Sequence, residues 1–347
     1  MTAIVTASAP GKLVLTGEYA VLENAPAVSA ATDLRVTVEI SQVSGEYSEL
    51  CVLNNGKRYR FVSDGGDELV WIDDPGPHGA IVDAAFGVIS ERGLFDNVLR
   101  TIELSICTRD FYQSSGAANS EPLKKGIGSS AAIAVALAAA LQTYAGVEPT
   151  FELALQIHRY FQGSQGSGID VATSWHGGLI VMSPGKQPDV QKLDWPTGLY
   201  VLPIWTGKAA ATTVKLKQLD EFRSGSPDTY SRVFQSLCAA AASAAEAWRS
   251  GHVATLMEDI SCFAETLQQL DAAASLGIWS EPHRELHALA NGSGVVYKPS
   301  GAGGGDFGLA FSADSAQLEQ YGVHAQKRGF GINSIAWSDA GLSVSTR

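Results

Sequence analysis

Cysteine is scarce and scattered. Four occur in 347 residues (Cys51, Cys107, Cys238, Cys262), with no C-x-x-C pair among them. A disulfide framework or thiolate zinc site is therefore not expected, and the thiols read as reduced and buried. Basic charge is also short: 24 Lys and Arg against 36 Asp and Glu leave a formal net charge of -12. A surface of that sign disfavours nucleic acid and anionic membranes, so neither is expected as a partner. Long apolar runs are missing too. The longest, residues 131–141, falls well short of the ~20 residues that span a bilayer. No charged-then-apolar leader is seen, and a cytoplasmic setting is expected. What the chain has instead is glycine, 36 residues of it, gathered in clusters that point to ligand sites built from backbone. With 45% hydrophobic and 17% charged residues a sizeable core is expected, and the length suits two lobes.

The stretch 122–141, PLKKGIGSSAAIAVALAAAL, organises the rest. Its back half is rich in Ala, with Ile133, Leu137 and Leu141 recurring every four residues, and reads as a buried helix. Its front half, Gly126-Ile127-Gly128-Ser129-Ser130, then lies at the helix N-terminus. There the first N–H groups lack partners and the macrodipole is positive. Glycines let an anion come close, and serines add donors or a metal ligand. The segment is a candidate phosphate cradle; the alternative is an ordinary turn capping a core helix. It lacks the Lys of a Walker A loop and the third glycine of the dinucleotide fingerprint.

Along the chain, residues 2–9 read as an edge strand, broken at Pro10-Gly11, with a short strand at 13–15. Glu18, wedged among apolar residues, needs a partner, and Lys12 is one candidate. Strands are expected over 27–41, a hairpin or excursion over 44–76, a helix over 81–92 and a strand over 98–108. Trp71 reads as a rim aromatic or a purine stacker. Residues 114–120 read as a small-residue loop. Thr150 reads as the N-cap of a helix with Leu153, Ile157 and Phe161 on one face. A glycine-serine loop then delivers Asp170, and 177–182 reads as a strand. After a joint between 185 and 199, helices are expected at 228–249, 253–274, 281–290 and 315–328, and strands at 294–297 and 332–338. Residues 301–308 carry five glycines in eight positions between apolar strands, which suits a backbone nest or close approach to a ligand.

Gly11-Lys12, Gly17-Glu18 and three separated glycine-rich stretches, at 126–130, 163–170 and 301–308, come in one order and spacing. In this the chain resembles the GHMP kinase superfamily over essentially its whole length. Within it, Glu18-Tyr19 and His158-x-x-x-Gln162-Gly163-x-x-Gly166-Ser167-Gly168-x-Asp170-Val171-Ala172 resemble the phosphomevalonate kinases, as does Lys298-Pro299-Ser300-Gly301-Ala302-Gly303-Gly304-Gly305-Asp306. Arg159 stands where mevalonate kinases place a metal-binding Glu. Ser164 and Phe307 depart from the pattern.

The resemblance implies a two-lobe α+β GHMP kinase fold. Residues 1–190 would form an ATP-binding lobe like ribosomal protein S5 domain 2, and residues 191–347 a ferredoxin-like lobe. It implies ATP-dependent phosphorylation of (R)-5-phosphomevalonate on the mevalonate route to isoprenoids. Mevalonate kinase, another small-molecule kinase of the superfamily, diphosphomevalonate decarboxylase and a non-catalytic sensor are the alternatives. Lys12 and Asp170 would be catalytic, Asp170 orienting the acceptor proton. Gly126, Ile127, Gly128, Ser129, Ser130 and Ala131 would bind ATP phosphates, with Lys124 adding charge and Ser130 holding Mg2+. The acceptor would meet Glu18, Tyr19, His158, Ser167, Gly168, Ser300, Gly301, Ala302, Gly303 and Gly304. Lys298 would pair with its phosphate, and Asp306 would fix the loop. A monomer or homodimer is expected.

Overall fold

Two long antiparallel strands, β1 (Ile4–Thr16) and β2 (Ala27–Gln42), form the spine of the first lobe in the computed structural model. The structure describes residues 4–63, 69–93, 101–113, 123–163, 166–210, 212–332 and 335–347. The loop expected at 114–120, and Ser164, lie outside them. Val36, Val38 and Ile40 of β2 are buried while Thr37 and Glu39 between them are half-buried, the period of two that puts one face on a core. The break expected at Pro10-Gly11 does not occur. β1 runs straight through, and a register shift between Pro10 and Lys12 absorbs a residue that has no N–H to give.

The sheet continues with β3 (Ser48–Val52), β4 (Lys57–Ser63), β5 (Leu69–Trp71), β6 (Ile102–Cys107), a small pair β7 (Tyr112–Gln113) and β8 (Leu123–Lys124) standing apart, then β9 (Leu179–Ser183) and β10 (Asp189–Leu193). Its order is β10-β9-β2-β6-β3-β4-β5, with β1 along the other side of β2. The 44–76 excursion thus extends the main sheet. Trp71 in it donates to Asp83 at 2.7 Å and packs on Phe61, a structural role.

Among the described residues, the α-helices of this lobe are α1 (Ala80–Glu91), α2 (Ser129–Tyr144), α3 (Phe151–Phe161) and α4 (Ile169–His176). Helix α2 packs against β1, β2, α1, α3 and α4. Nearly every residue from 131 to 142 is buried, so small side chains are needed all round it. Leu137 is wholly buried, and Leu137→Ala would cost about 2–5 kcal/mol. At the start of α3, Thr150 stands at the cap position, yet its side chain makes no cap. The Gln142 amide instead donates to the Thr150 hydroxyl and accepts its N–H.

The second lobe is a three-stranded antiparallel sheet in the order β11 (Tyr200–Trp205), β13 (Phe307–Ser312), β12 (Val296–Pro299). With it go α5 (Thr212–Gly225), α6 (Pro227–Ser250), α7 (Val253–Ala274), α8 (Glu281–Ala290) and α9 (Ser315–Lys327). Helix α5 was not expected, because its surface is so polar that no apolar stripe announces it.

The strand expected at 332–338 falls partly outside the described residues; Trp337 makes only an isolated bridge to Thr32. The C-terminal strand is instead β14 (Ser343–Thr346), which pairs with β1 from Val5 to Ser8. β1 is therefore an interior strand along that stretch, not an edge, and the tail crosses the division expected at residue 190. A second crossing runs the other way: Tyr19, Ala20 and Ala25 of the first lobe sit in the core of α6, α7 and β12.

Candidate active site

The glycine turn before α2 is bent by Gly126 and Gly128, both at positive φ (72° and 79°). Only glycine reaches that region without strain, and here it is needed twice over. A Cβ on Gly128 would stand 2.9 Å from Lys12 Cε, and one on Gly126 would stand 2.0 Å from Asp306 Cγ. Two charged side chains therefore lie directly on the turn, one from β1 and one from the second lobe. The Lys12 N–H donates to the Ile127 carbonyl at 2.9 Å, fixing β1 to the turn. Among the described residues no side chain caps the N-terminus of α2, and the turn leads straight into Ser129 and Ser130.

Lys12 is 7% exposed, and its Nζ lies 3.0 Å from Asp170 Oδ1. Asp170 stands in the first turn of α4, behind Gly168 at φ 84°. His158, on the last turn of α3, is buried, and its Nε2 lies 3.2 Å from Ser130 Oγ. Burial pushes the His158 pKa down and Lys12 adds to that, while Asp170 opposes it. Among the described residues the one hydrogen-bond partner of the His158 ring is thus Ser130, on the phosphate turn's helix. Lys125 donates to the Asp110 carbonyl at 2.8 Å, whereas Lys124 is exposed.

The second-lobe loop 300–306 is held from both sides. Ser300 Oγ donates to the Val14 carbonyl at 2.9 Å, and Tyr19 Oη to the Ala302 carbonyl at 2.6 Å. Gly304 N donates to the Ile278 carbonyl at 2.7 Å. Asp306 N donates to the Lys208 carbonyl at 2.7 Å, and Asp306 Oδ1 accepts from Ala210 N at 3.0 Å. Burial raises the Asp306 pKa; the Ala210 N–H and the nearby Lys12 and Lys124 pull it back. Behind the loop, wholly buried His283 holds Tyr297 Oη at 2.7 Å and the Gly305 carbonyl at 3.0 Å. The carbonyl can only accept, so Nε2 carries the proton and Nδ1 accepts from the tyrosine. Burial lowers the His283 pKa to about 4, which keeps this tautomer in place.

Two expectations need correction. Glu18 is not paired with Lys12. Its Oε1 lies 2.5 Å from Lys298 Nζ, and both side chains are almost fully buried. The ammonium expected to meet the acceptor phosphate thus has its charge compensated by Glu18, and Lys298 is 0% exposed. Burial pushes Glu18 up and Lys298 down, each against the pull of the other. Geometry alone reveals a third buried lysine, Lys215 on α5, which no motif marked. Its Nζ donates to the Leu276 carbonyl at 2.6 Å, and a Cβ on Gly304 would lie 2.6 Å from that nitrogen. Ser167 caps the backbone locally, its Oγ accepting from Ile169 N at 3.3 Å.

Lys12, the 126–130 turn, Asp170 and the 300–306 loop thus converge, joined through Asp306. The fold around them is that of a small-molecule kinase. Residues 106–178 match the GHMP kinases N terminal domain, and the chain has the two-lobe α+β fold of the GHMP kinases. A phosphomevalonate kinase of Streptomyces sp. (strain CL190) is 27% identical over 96% of this chain and 94% of its own. A mevalonate kinase of Methanothermobacter thermautotrophicus is 30% identical over 52% of this chain and 51% of its own. Among solved structures, Streptococcus pneumoniae phosphomevalonate kinase in complex with phosphomevalonate and AMPPNP shares the fold. Its TM-score is 0.75 at 20% identity, covering 96% of this chain and 99% of that one. The Lin0012 protein from Listeria innocua does so at a TM-score of 0.84 and 24% identity, over 99% of each chain. Among the described residues no helix is long and apolar enough to cross a membrane.

Proposed function

We propose that this chain transfers the γ-phosphoryl group of ATP to the phosphate of (R)-5-phosphomevalonate, giving the 5-diphosphate. The observation that carries the reading is the Lys12–Asp170 pair at 3.0 Å, with Lys12 lying along Gly128 at the open end of α2. Support for the acceptor comes from the full-length relative, a phosphomevalonate kinase.

Phosphoryl transfer asks the protein for position and for positive charge where negative charge spreads. The N–H groups of 126–131 would take the β- and γ-phosphates, and Lys12 would reach the transferred group. In the step, an acceptor phosphate oxygen bonds to Pγ as the bond from Pγ to the β-bridging oxygen breaks and ADP leaves. A phosphate monoester has its second pKa near 6, so at neutral pH it is mostly a dianion and needs no base. Asp170 then serves chiefly to hold Lys12 in line. Were the acceptor a hydroxyl, the same carboxylate would also have to orient its proton.

The donor set also suits a magnesium ion. With His158 neutral and accepting at Nε2, the Ser130 hydroxyl would keep its oxygen lone pairs for a hard cation. Magnesium keeps most of its waters and needs few protein ligands, so Ser130 with the ATP phosphates can suffice. When bound, it would neutralise phosphate charge.

A panel of acceptors read by ADP release tests the proposal. Phosphomevalonate should be preferred, and a preference for mevalonate or homoserine would refute the substrate assignment. Asp170→Asn should lower kcat by about 10²-fold or more. Unchanged turnover would remove Asp170 from the mechanism while leaving the fold untouched.

A further inference from the structure

Three lysines are buried among the described residues, and two have carboxylate partners: Lys12 faces Asp170 at 3.0 Å and Lys298 faces Glu18 at 2.5 Å. Lys215 has none within ion-pair distance among the described residues, although it is only 8% exposed. Among the described residues its one hydrogen bond goes to the Leu276 carbonyl, and two of its three ammonium donors have no protein partner there. The acid whose charge acts on it is Asp271, and both Asp271 oxygens already accept backbone N–H groups, from Ile278 at 2.9 Å and Trp279 at 2.8 Å. Burial lowers the Lys215 pKa, and Asp271 only partly opposes this. A lone buried cation is expensive to keep unless something anionic comes to it.

Its position says what that could be. The ammonium rests on Gly304, where any side chain would displace it. Gly304 is two residues from Asp306, which touches the phosphate turn at Gly126, and two from Ala302, which Tyr19 holds. The unpaired charge therefore sits against the loop that touches the phosphate turn through Asp306. A monophosphate ester calls for such a cation, and the charge of Lys298 is already compensated by Glu18.

We propose that Lys215 binds the anionic group of the acceptor and so sets the preference for a phosphorylated acceptor over its unphosphorylated counterpart. This rests on the substrate class proposed above.

The test uses the full chain with Lys215→Met and Lys215→Arg. ADP release is measured against (R)-5-phosphomevalonate, (R)-mevalonate and ATP, alongside thermal melts. Lys215→Met should raise KM for the phosphorylated acceptor about 10- to 100-fold, the loss of one charge-assisted contact. KM for ATP and for mevalonate should stay within about twofold, and the melting temperature should hold or rise. Lys215→Arg should keep most of the preference. Equal losses for both acceptors with a lower melting temperature, in both variants, would make Lys215 a prop for the Leu276 carbonyl and overturn the proposal, as would unchanged kinetics. If the parent enzyme rejects phosphomevalonate, the substrate reading fails at that point. Inorganic phosphate then tests the subsite alone: it should compete with whichever acceptor is used, and about tenfold more weakly in Lys215→Met. Equal inhibition would end the proposal.

Discussion

Lys298→Met separates two readings of the same lysine. In the structure it strips the partner from a Glu18 side chain that is 2% exposed. Breaking a buried pair from one side costs about 3–5 kcal/mol, because the remaining charge is left without compensation. Unfolding entropy of ~2.1 cal/mol/K per residue gives about 0.7 kcal/mol/K for a chain of 347 residues melting as one unit. The melting temperature should then fall by about 4–7 °C, more if the second lobe melts separately. The double variant Glu18→Leu/Lys298→Met should recover most of the loss, since apolar replacement of a buried pair is often neutral.

The pH dependence has a definite sign. In Lys298→Met the folded Glu18 holds a proton that the unfolded chain releases above the ordinary carboxylate range. The folded state then binds more protons, so stability falls as pH rises. The deficit against the parent should widen from pH 5 to 8. Differential scanning calorimetry across that range, with steady-state kinetics alongside, is the assay. If Lys298→Met melts like the parent and raises KM only for a phosphorylated acceptor, the buried pair has been misread and Lys298 faces the acceptor.

Gly128→Ala should lower kcat by about 10²-fold with a small loss of stability, because the added methyl pushes Lys12 at Cε; parental kinetics would remove Lys12 from the phosphate path. His283 has its pKa lowered from 6.5 to about 4, so the unfolded state binds the extra proton and stability is lost as pH falls through that window. The contribution is about 3 kcal/mol at most. His283→Phe should flatten the acid limb of a melting-temperature profile between pH 4 and 6.5, and an unaltered limb would contradict the assigned tautomer.

Much of the site was legible because glycine leaves a local signature. Gly126, Gly128 and Gly168 mark backbone turns that only glycine allows cheaply, and each lies next to a group that acts. Helix α2 was legible for a similar reason, since an unbroken Ala-Leu run has few other fates. Pairing across the lobes was not legible. Glu18 could be seen to need a partner, and Lys12 was the candidate named; three-dimensional distance instead chose Lys298, 280 positions away. Lys215 gave no signal, because a lysine on a polar helix looks solvated, and its burial comes from what packs over it. The C-terminal strand was misplaced because the short polar run Ser343–Thr346 becomes a strand only by finding β1.

The segment that carries Tyr19 into the second lobe has a consequence for turnover. Hinging the two halves apart as rigid bodies would drag Tyr19, Ala20 and Ala25 into water and open the Glu18–Lys298 contact at once. Each large apolar group so exposed costs about 1.5–3 kcal/mol, a barrier that accumulates quickly. If the chain turns over as proposed, ligand entry and escape would have to come from local rearrangement near the mouth, with the back of the cleft kept fastened by these contacts.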